Sequence, residues 1–272
     1  ELESFGNIGF GLGISGAAMA TVISQAIVFI VFIFMLFFKN HSYITFNLND
    51  FSFSSDIILD IIKIGLPASL SMIVMAVGQG VFNKILVHIS VETVAAYQVA
   101  GRLDMLVFLP IFSIAASLTT LIGMFYGAKE YEALRFTIRY GIFSALIITI
   151  FSSAMVYIFA DQVVRFFTED ESIVIIAVNF LQIFAFAYPF IAVGITTGRV
   201  LQGLGKGLPV LVITIVRVLG VSAPLSLFFI FVMDKSVEWV WYSMMLSTVV
   251  AFAIGLTWLF STVKKLPVKN TV

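Results

Sequence analysis

Long apolar stretches recur along this chain, with short polar breaks between them. Seven runs stand out, over residues 11–38, 61–89, 94–123, 140–160, 173–201, 208–233 and 239–263. Each meets or exceeds the ~20 apolar residues that an α-helix needs to cross a ~30 Å hydrocarbon core. Lipid offers no water to a peptide group, so a spanning segment must satisfy its own hydrogen bonds, and the runs predict helices. The expectation is an all-α membrane protein with seven transmembrane helices. Its function is then one that a helical bundle performs: transport, signalling or chemistry inside the bilayer.

The longest polar interruption covers 39–60 and holds Asn40, Asn47, Asn49, Asp50, Asp56 and several serines. It separates the first run (1–38) from the other six (61–272) and is the best linker candidate. Its Phe46, Phe51 and Phe53 suggest a segment lying against the membrane. Pro67, Pro110, Pro189 and Pro224 fall inside or near the ends of runs. A proline removes one helical hydrogen bond and kinks the helix. In transporters such breaks border binding sites and hinges, so these four are hinge candidates, with a plain packing kink as the alternative.

Composition excludes soluble readings. Hydrophobic residues make up 61% and charged residues 11%, against about 25% charged in a soluble domain. The formal net charge is zero, which gives no nucleic-acid signal. Cysteine is absent, so disulfides and thiolate metal sites are excluded. His41 and His88 are far apart and expected on opposite sides of the membrane, so no zinc site follows. Gly11, Gly13 and Gly16 fit a dinucleotide fingerprint only literally, because no βαβ unit surrounds them. No HExxH and no pair of intramembrane aspartates is present, so the chain is not read as an enzyme and no cofactor is expected.

Charge orients the spans. Lys39, Lys63, Lys129, Arg135, Arg139, Arg199, Lys206, Lys264, Lys265 and Lys269 fall on one side, and Lys84, Arg165 and Lys235 on the other. Cytoplasmic loops are enriched in Lys and Arg, so the first set is expected in the cytoplasm. The segment's N-terminus is then outside, its C-terminus inside, and the cell's inner membrane is the expected location. Trp239, Trp241 and Tyr242 open the last run beside the outer interface and read as an aromatic belt.

Candidate chemistry lies in the polar residues within the runs. Asp104 and Arg102 share the third run, two residues apart and so on different helix faces, and Arg217 is a distant candidate partner for Asp104. A charge at mid-membrane is costly and faces a cavity or a partner. Asp104 therefore reads as a site for a proton, a sodium ion or a cationic substrate, or as half of a structural charge pair that locks helices together. Gln79 with Asn83, Gln98, and Asn179 with Gln182 are neutral candidates for the cavity lining. The alternative for each is an interhelical hydrogen bond. Tyr97, Phe184, Phe186 and Tyr188 could offer aromatic faces to an organic cation, against the commoner role of lipid contact.

Five segments carry a resemblance. Gly9 to Thr21, with Gly16-Ala17-Ala18 and Ala20-Thr21, is similar to the start of the sixth helix of multidrug and toxic compound extrusion (MATE) transporters. Ile64-Gly65-Leu66-Pro67-Ala68-Ser69 resembles the start of their seventh helix. Val94 to Arg102 resembles their eighth, Gly123 to Lys129 the turn after it, and Leu201 to Lys206 the turn ending the tenth. The matches occur in family order over nearly the whole chain. The resemblance implies a two-lobe, twelve-helix fold. Residues 1–38 would be the last helix of the N-terminal lobe, 39–60 the cytoplasmic inter-lobe loop, and 61–272 the six-helix C-terminal lobe.

It also implies secondary active export of amphipathic or cationic drugs, driven by Na+ or H+ through alternating access. The partners would be the lipid bilayer and the missing N-terminal lobe. The chain begins with Glu1 rather than Met, and the expectation is a piece of a longer protein, with a dimerising half-transporter left open. Some family members carry an acidic residue in the seventh helix after the proline, or in the middle of the tenth; 71–80 and 173–197 have none. The chain is closer to members whose coupling carboxylate lies in helix one, outside these residues. Two rivals remain. A flippase for a lipid-linked oligosaccharide or peptidoglycan precursor would want more cavity cations than Arg102 and Arg217. A seven-helix receptor of the retinal type would want a lysine in 239–263, which the run lacks before its end.

Overall fold

The computed structural model describes residues 13–38 and 53–267. The described chain divides after Ser54 into two units. In the first, helix α1 (Gly13–Phe38) is a single apolar helix, with a window at Ala18–Met35 of mean hydropathy 2.4. Of the expected loop at 39–60, residues 39–52 with Phe46 and Phe51 lie outside the described residues, as does the start of the Gly9–Thr21 match, and residues 55–60 belong to α2.

The second unit holds α2 (Ser55–Ile89), α3 (Val91–Gly127), α4 (Tyr131–Arg165), α5 (Glu171–Ala185) and α6 (Tyr188–Gly203). A composite span follows: α7 (Leu208–Ile215), a π-helical turn π1 (Val216–Ser222), α8 (Ala223–Leu227) and a second π-helical turn π2 (Phe228–Val232). Helix α9 (Glu238–Lys264) closes the unit. Six helices across the described residues are long and apolar enough to cross a membrane, or seven if the bent pair α5–α6 is one span.

Helix ends depart from the apolar runs in a regular way. The expected start at 61 moves to Ser55, and the expected 140–160 span extends to Tyr131–Arg165. Charged residues at these ends (Asp56, Glu132, Arg135, Asp161, Arg165) continue the helix beyond the apolar stretch, because backbone bonding does not stop where hydrocarbon does. Arg165 pairs with Asp161 on its own helix at 2.9 Å and ties α4 to α5 through Glu171 at 2.6 Å. Caps mark two starts. The hydroxyl of Ser90 accepts from the Thr93 N–H at 3.1 Å, and Asp170 accepts from the Ser172 N–H at 2.9 Å. The Ser172 hydroxyl and N–H hold the Asp170 carboxyl below the usual carboxylate range.

Helix α3 is the spine. Ala96, Ala100, Leu103, Val107, Ile111, Ala115, Leu118 and Ile122 are all buried along one face at three- and four-residue spacing. The alanines let α4, α5 and α6 approach closely. Gly203 is tighter still. A Cβ there would stand 2.7 Å from the Thr119 carbonyl oxygen, so only glycine lets α6 end against α3. That end closes with the Lys206 N–H on the Leu201 carbonyl at 2.8 Å, and Gly205 takes φ +77°, the left-handed geometry that glycine permits after a helix.

The four prolines behave differently. Helices α2 and α3 run through Pro67 and Pro110 without interruption, so neither is a break. Pro224 lies two residues past the end of π1. Its ring would press on the carbonyl four residues back, at Gly220, and the widened turn relieves that clash. Pro189 sits beside a real break: α5 and α6 meet at 59° across Phe186 and Ala187. The run expected over 173–201 is therefore two helices.

Candidate functional site

The break at Phe186–Ala187 is where polar chemistry gathers. Pro189 has no N–H to give the Ala185 carbonyl, and the Ser153 hydroxyl from α4 donates to that oxygen instead. One residue past the break, the fully buried Tyr188 donates its phenolic hydrogen to Asp104 on α3. The bend is thus pinned from two neighbouring helices. Asp104 is half-buried and the only carboxylate near the middle of a described span. The other described acidic residues in α2, α3, α4, α5 and α9 lie within six residues of a helix end.

Rings surround this contact. Tyr97, Asp104 and Phe108 share one stripe of α3, at seven- and four-residue spacing. Phe108 meets Tyr188 edge-on at 5.4 Å, and Phe184 meets it at 6.3 Å. Phe184 stacks on Phe180 at 4.3 Å, and Phe180 meets Trp241 edge-on at 4.8 Å. Tyr97 stacks on Trp241 at 5.9 Å and meets Phe180 edge-on at 5.6 Å. A continuous aromatic seam therefore joins α3, α5, α6 and α9. Arg217 is half-buried in π1.

The sequence candidates separate into groups. Asp104, Tyr97, Phe184 and Tyr188 come together in the seam. Gln98 and Asn83 meet across α2 and α3 at 3.5 Å, the weak limit of a hydrogen bond, with Gln79 exposed one turn from Asn83. Asn179 buries its amide oxygen without a partner among the described residues, and Gln182 is exposed on the same helix. Arg102 is exposed and turned away from Asp104, as the two-residue spacing requires.

Three expectations change. Asp104 accepts from a tyrosine hydroxyl and makes no ion pair with its distant candidate Arg217 among the described residues. Phe186 is 65% exposed and packs on Tyr157, outside the seam. Trp241 is fully buried, so the aromatic belt reduces to Trp239 and Tyr242. Ser153 and the π-helical setting of Arg217 had no sequence signal beyond nearby Pro189 and Pro224.

Such a structure defines a class: a polytopic helical membrane protein with one carboxylate and an aromatic seam held inside a helix bundle. The MatE family model matches residues 67–228, and the chain belongs to this family. The probable multidrug resistance protein NorM of Thermotoga maritima is 27% identical over 232 residues, covering 85% of this chain and 49% of that protein. The multidrug export protein MepA of Staphylococcus aureus is 27% identical over 199 residues, covering 73% and 44%. The chain spans about half the length of these curated relatives. Among solved structures, an outward-facing multidrug resistance MATE transporter of the MOP superfamily superimposes with TM-score 0.87 at 29% identity, over 95% of this chain and 58% of that one. A MOP superfamily transporter from Pyrococcus furiosus gives TM-score 0.86 at 30% identity, over 94% and 57%.

Proposed function

We propose that the protein exports amphipathic organic cations by alternating access, in exchange for Na+ or H+, as part of a two-lobe transporter. The observation that carries this reading is Asp104: a mid-span carboxylate, held by Tyr188, beside aromatic faces suited to an organic cation. The multidrug names of the relatives support the substrate class. In this reading Asp104 takes the coupling ion or the cation, and its bond to Tyr188 carries that event to the bend between α5 and α6. The complementary helices come from the rest of a longer chain or from a second copy. The basic side of the spans faces the cytoplasm of the inner membrane, with the C-terminus inside.

The test is dye efflux from vesicles carrying the protein, under an imposed Na+ or pH gradient. Asp104→Asn should abolish gradient-driven efflux while the variant still elutes as folded protein. Undiminished efflux would remove Asp104 from the mechanism. Absence of efflux by the parent protein under both gradients would remove the exporter reading itself.

A further inference from the structure

Basic residues from three elements meet at the end of α9. The Arg135 guanidinium of α4 donates to the Leu266 carbonyl at 2.9 Å and to the Pro267 carbonyl at 3.4 Å. From the turn after α6, the Lys206 ammonium donates to the Thr262 hydroxyl at 3.3 Å. Thr262 and Leu266 bracket one helical turn, and Lys264 and Lys265 lie within it, both exposed. Arg139, also exposed, stands one turn further into the span than Arg135 on the same side of α4. Five cations thus gather around one helix terminus.

Enrichment of Lys and Arg in loops sets orientation, but it does not bring separate elements to one point. None of the five makes an ion pair among the described residues. The bonds of Arg135 and Lys206 go to neutral oxygens, which leave the charge uncompensated. The dipole of α9 offsets only about half a unit charge at its C-terminus. Glu130 and Glu132 line an adjoining cleft of about 220 Å³ with Lys129, Tyr131 and Pro267, and neither pairs with any of the five. Further into the spans the surface turns apolar. Phe143 and Ile147 follow Arg139 at four-residue steps on α4, Phe260 precedes Lys264 by four on α9, and all three are exposed. A charged collar over exposed apolar side chains matches a molecule with an anionic head and hydrocarbon tails.

We propose that Arg135, Arg139, Lys206, Lys264 and Lys265 bind the phosphodiester headgroup of an anionic phospholipid, in the leaflet at the basic ends of the spans. Basic groups at the ends of spanning helices attract such headgroups. A guanidinium has five N–H donors and an ammonium three, so Arg135 and Lys206 keep donors for the phosphate oxygens. The phosphate also relieves the repulsion among the five charges, and the acyl chains lie along Phe143, Ile147 and Phe260. The lipid then fastens α9 to α4 and to the turn between α6 and α7. This role does not depend on the exporter reading.

The test uses the full chain in phosphatidylcholine vesicles that contain brominated phosphatidylglycerol, whose bromines quench tryptophan at short range. Trp258 lies six residues before Lys264, about 9 Å along α9 and beside the acyl region. Trp241 is fully buried, and a Trp239→Phe background removes the exposed tryptophan at the other end of α9. Quenching relative to brominated phosphatidylcholine gives the preference for the anionic lipid. It should be on the order of tenfold in this parent at low salt, and should fall at ~1 M NaCl, where the Debye length is ~3 Å. Lys264→Gln/Lys265→Gln removes side chains that make no hydrogen bond among the described residues and should lower the preference several-fold. Adding Lys206→Gln should bring it close to one. Lys84→Gln/Lys235→Gln, the same charge loss at the opposite ends of the spans, should leave it unchanged.

A parent preference near one overturns the proposal. So does an unchanged preference in the triple variant, or an equal loss in Lys84→Gln/Lys235→Gln, which would make the preference an effect of overall charge. Inorganic phosphate that abolishes the preference at constant ionic strength would assign the site to a free phosphate, and also overturns it. Should the triple variant not fold, Lys264→Gln/Lys265→Gln carries the test, and an undiminished preference there overturns it.

Discussion

Tyr188→Phe removes one oxygen and leaves the ring in place between Phe108 and Phe184. The perturbation is therefore confined to the bond with Asp104. A hydrogen bond to a charged group contributes about 1.5–3 kcal/mol. Its loss strands a half-buried carboxylate in a span, which puts the cost in the upper part of that range. The assay is a double-mutant cycle on unfolding in mixed micelles: Tyr188→Phe, Asp104→Leu and the pair. Asp104→Leu removes the carboxylate that Tyr188 serves, so the second substitution should cost far less in the Leu background than in the parent. The expected coupling is about 1.5–3 kcal/mol, because groups in direct contact couple and separated groups add to within ~0.5 kcal/mol. A coupling below ~0.5 kcal/mol would show that the two side chains do not meet. The pinning of the bend from α3 would then have to be abandoned, and with it the route from Asp104 to α6.

Two further outcomes test the packing. Ser153→Ala should destabilise the protein by about 1–3 kcal/mol, by leaving the Ala185 carbonyl unpaired at the break; Pro189→Ala in the same background should recover part of that cost by returning an N–H donor, and no recovery in thermal or denaturant unfolding would refute this account of the bend. Gly203→Ala should cost about 1–3 kcal/mol, and more than Gly141→Ala, since the added methyl meets a backbone oxygen of α3 at Gly203 but only the movable Leu118 side chain at Gly141; equal midpoints for the two variants would contradict the tight α3–α6 crossing.

The sequence carried the spans well because hydrocarbon imposes length and composition on every one of them. It carried their ends poorly. Glu132, Arg135 and Arg139 stop an apolar run but not a helix, so α4 begins nine residues before the expected 140. The prolines show a second limit. Pro67, Pro110, Pro189 and Pro224 look alike in sequence, yet they give two uninterrupted helices, one 59° break and one π-helical turn. At Pro189 the carbonyl without a helical N–H partner is met by Ser153, thirty-two residues before Ala185 and on another helix, a relation no local pattern contains.

The aromatic residues opening α9 were more legible than the belt expectation allowed. At ~100° per residue, Trp239 and Trp241 lie ~200° apart, so two such neighbours take opposite faces of a helix packed on one side. One must turn inward, and it is Trp241, which packs on Tyr97 and Phe180. The same geometry separates Arg102 from Asp104, and here the sequence already foretold the outcome. Periodicity thus tells which residues of one helix part company, but not which residues of two helices meet. Asp104 finds Tyr188 eighty-four positions away because α3 is buried along one face and α6 begins, after a break, against it. The carboxylate was visible as a costly residue in a span, but its partner follows only from how the helices pack.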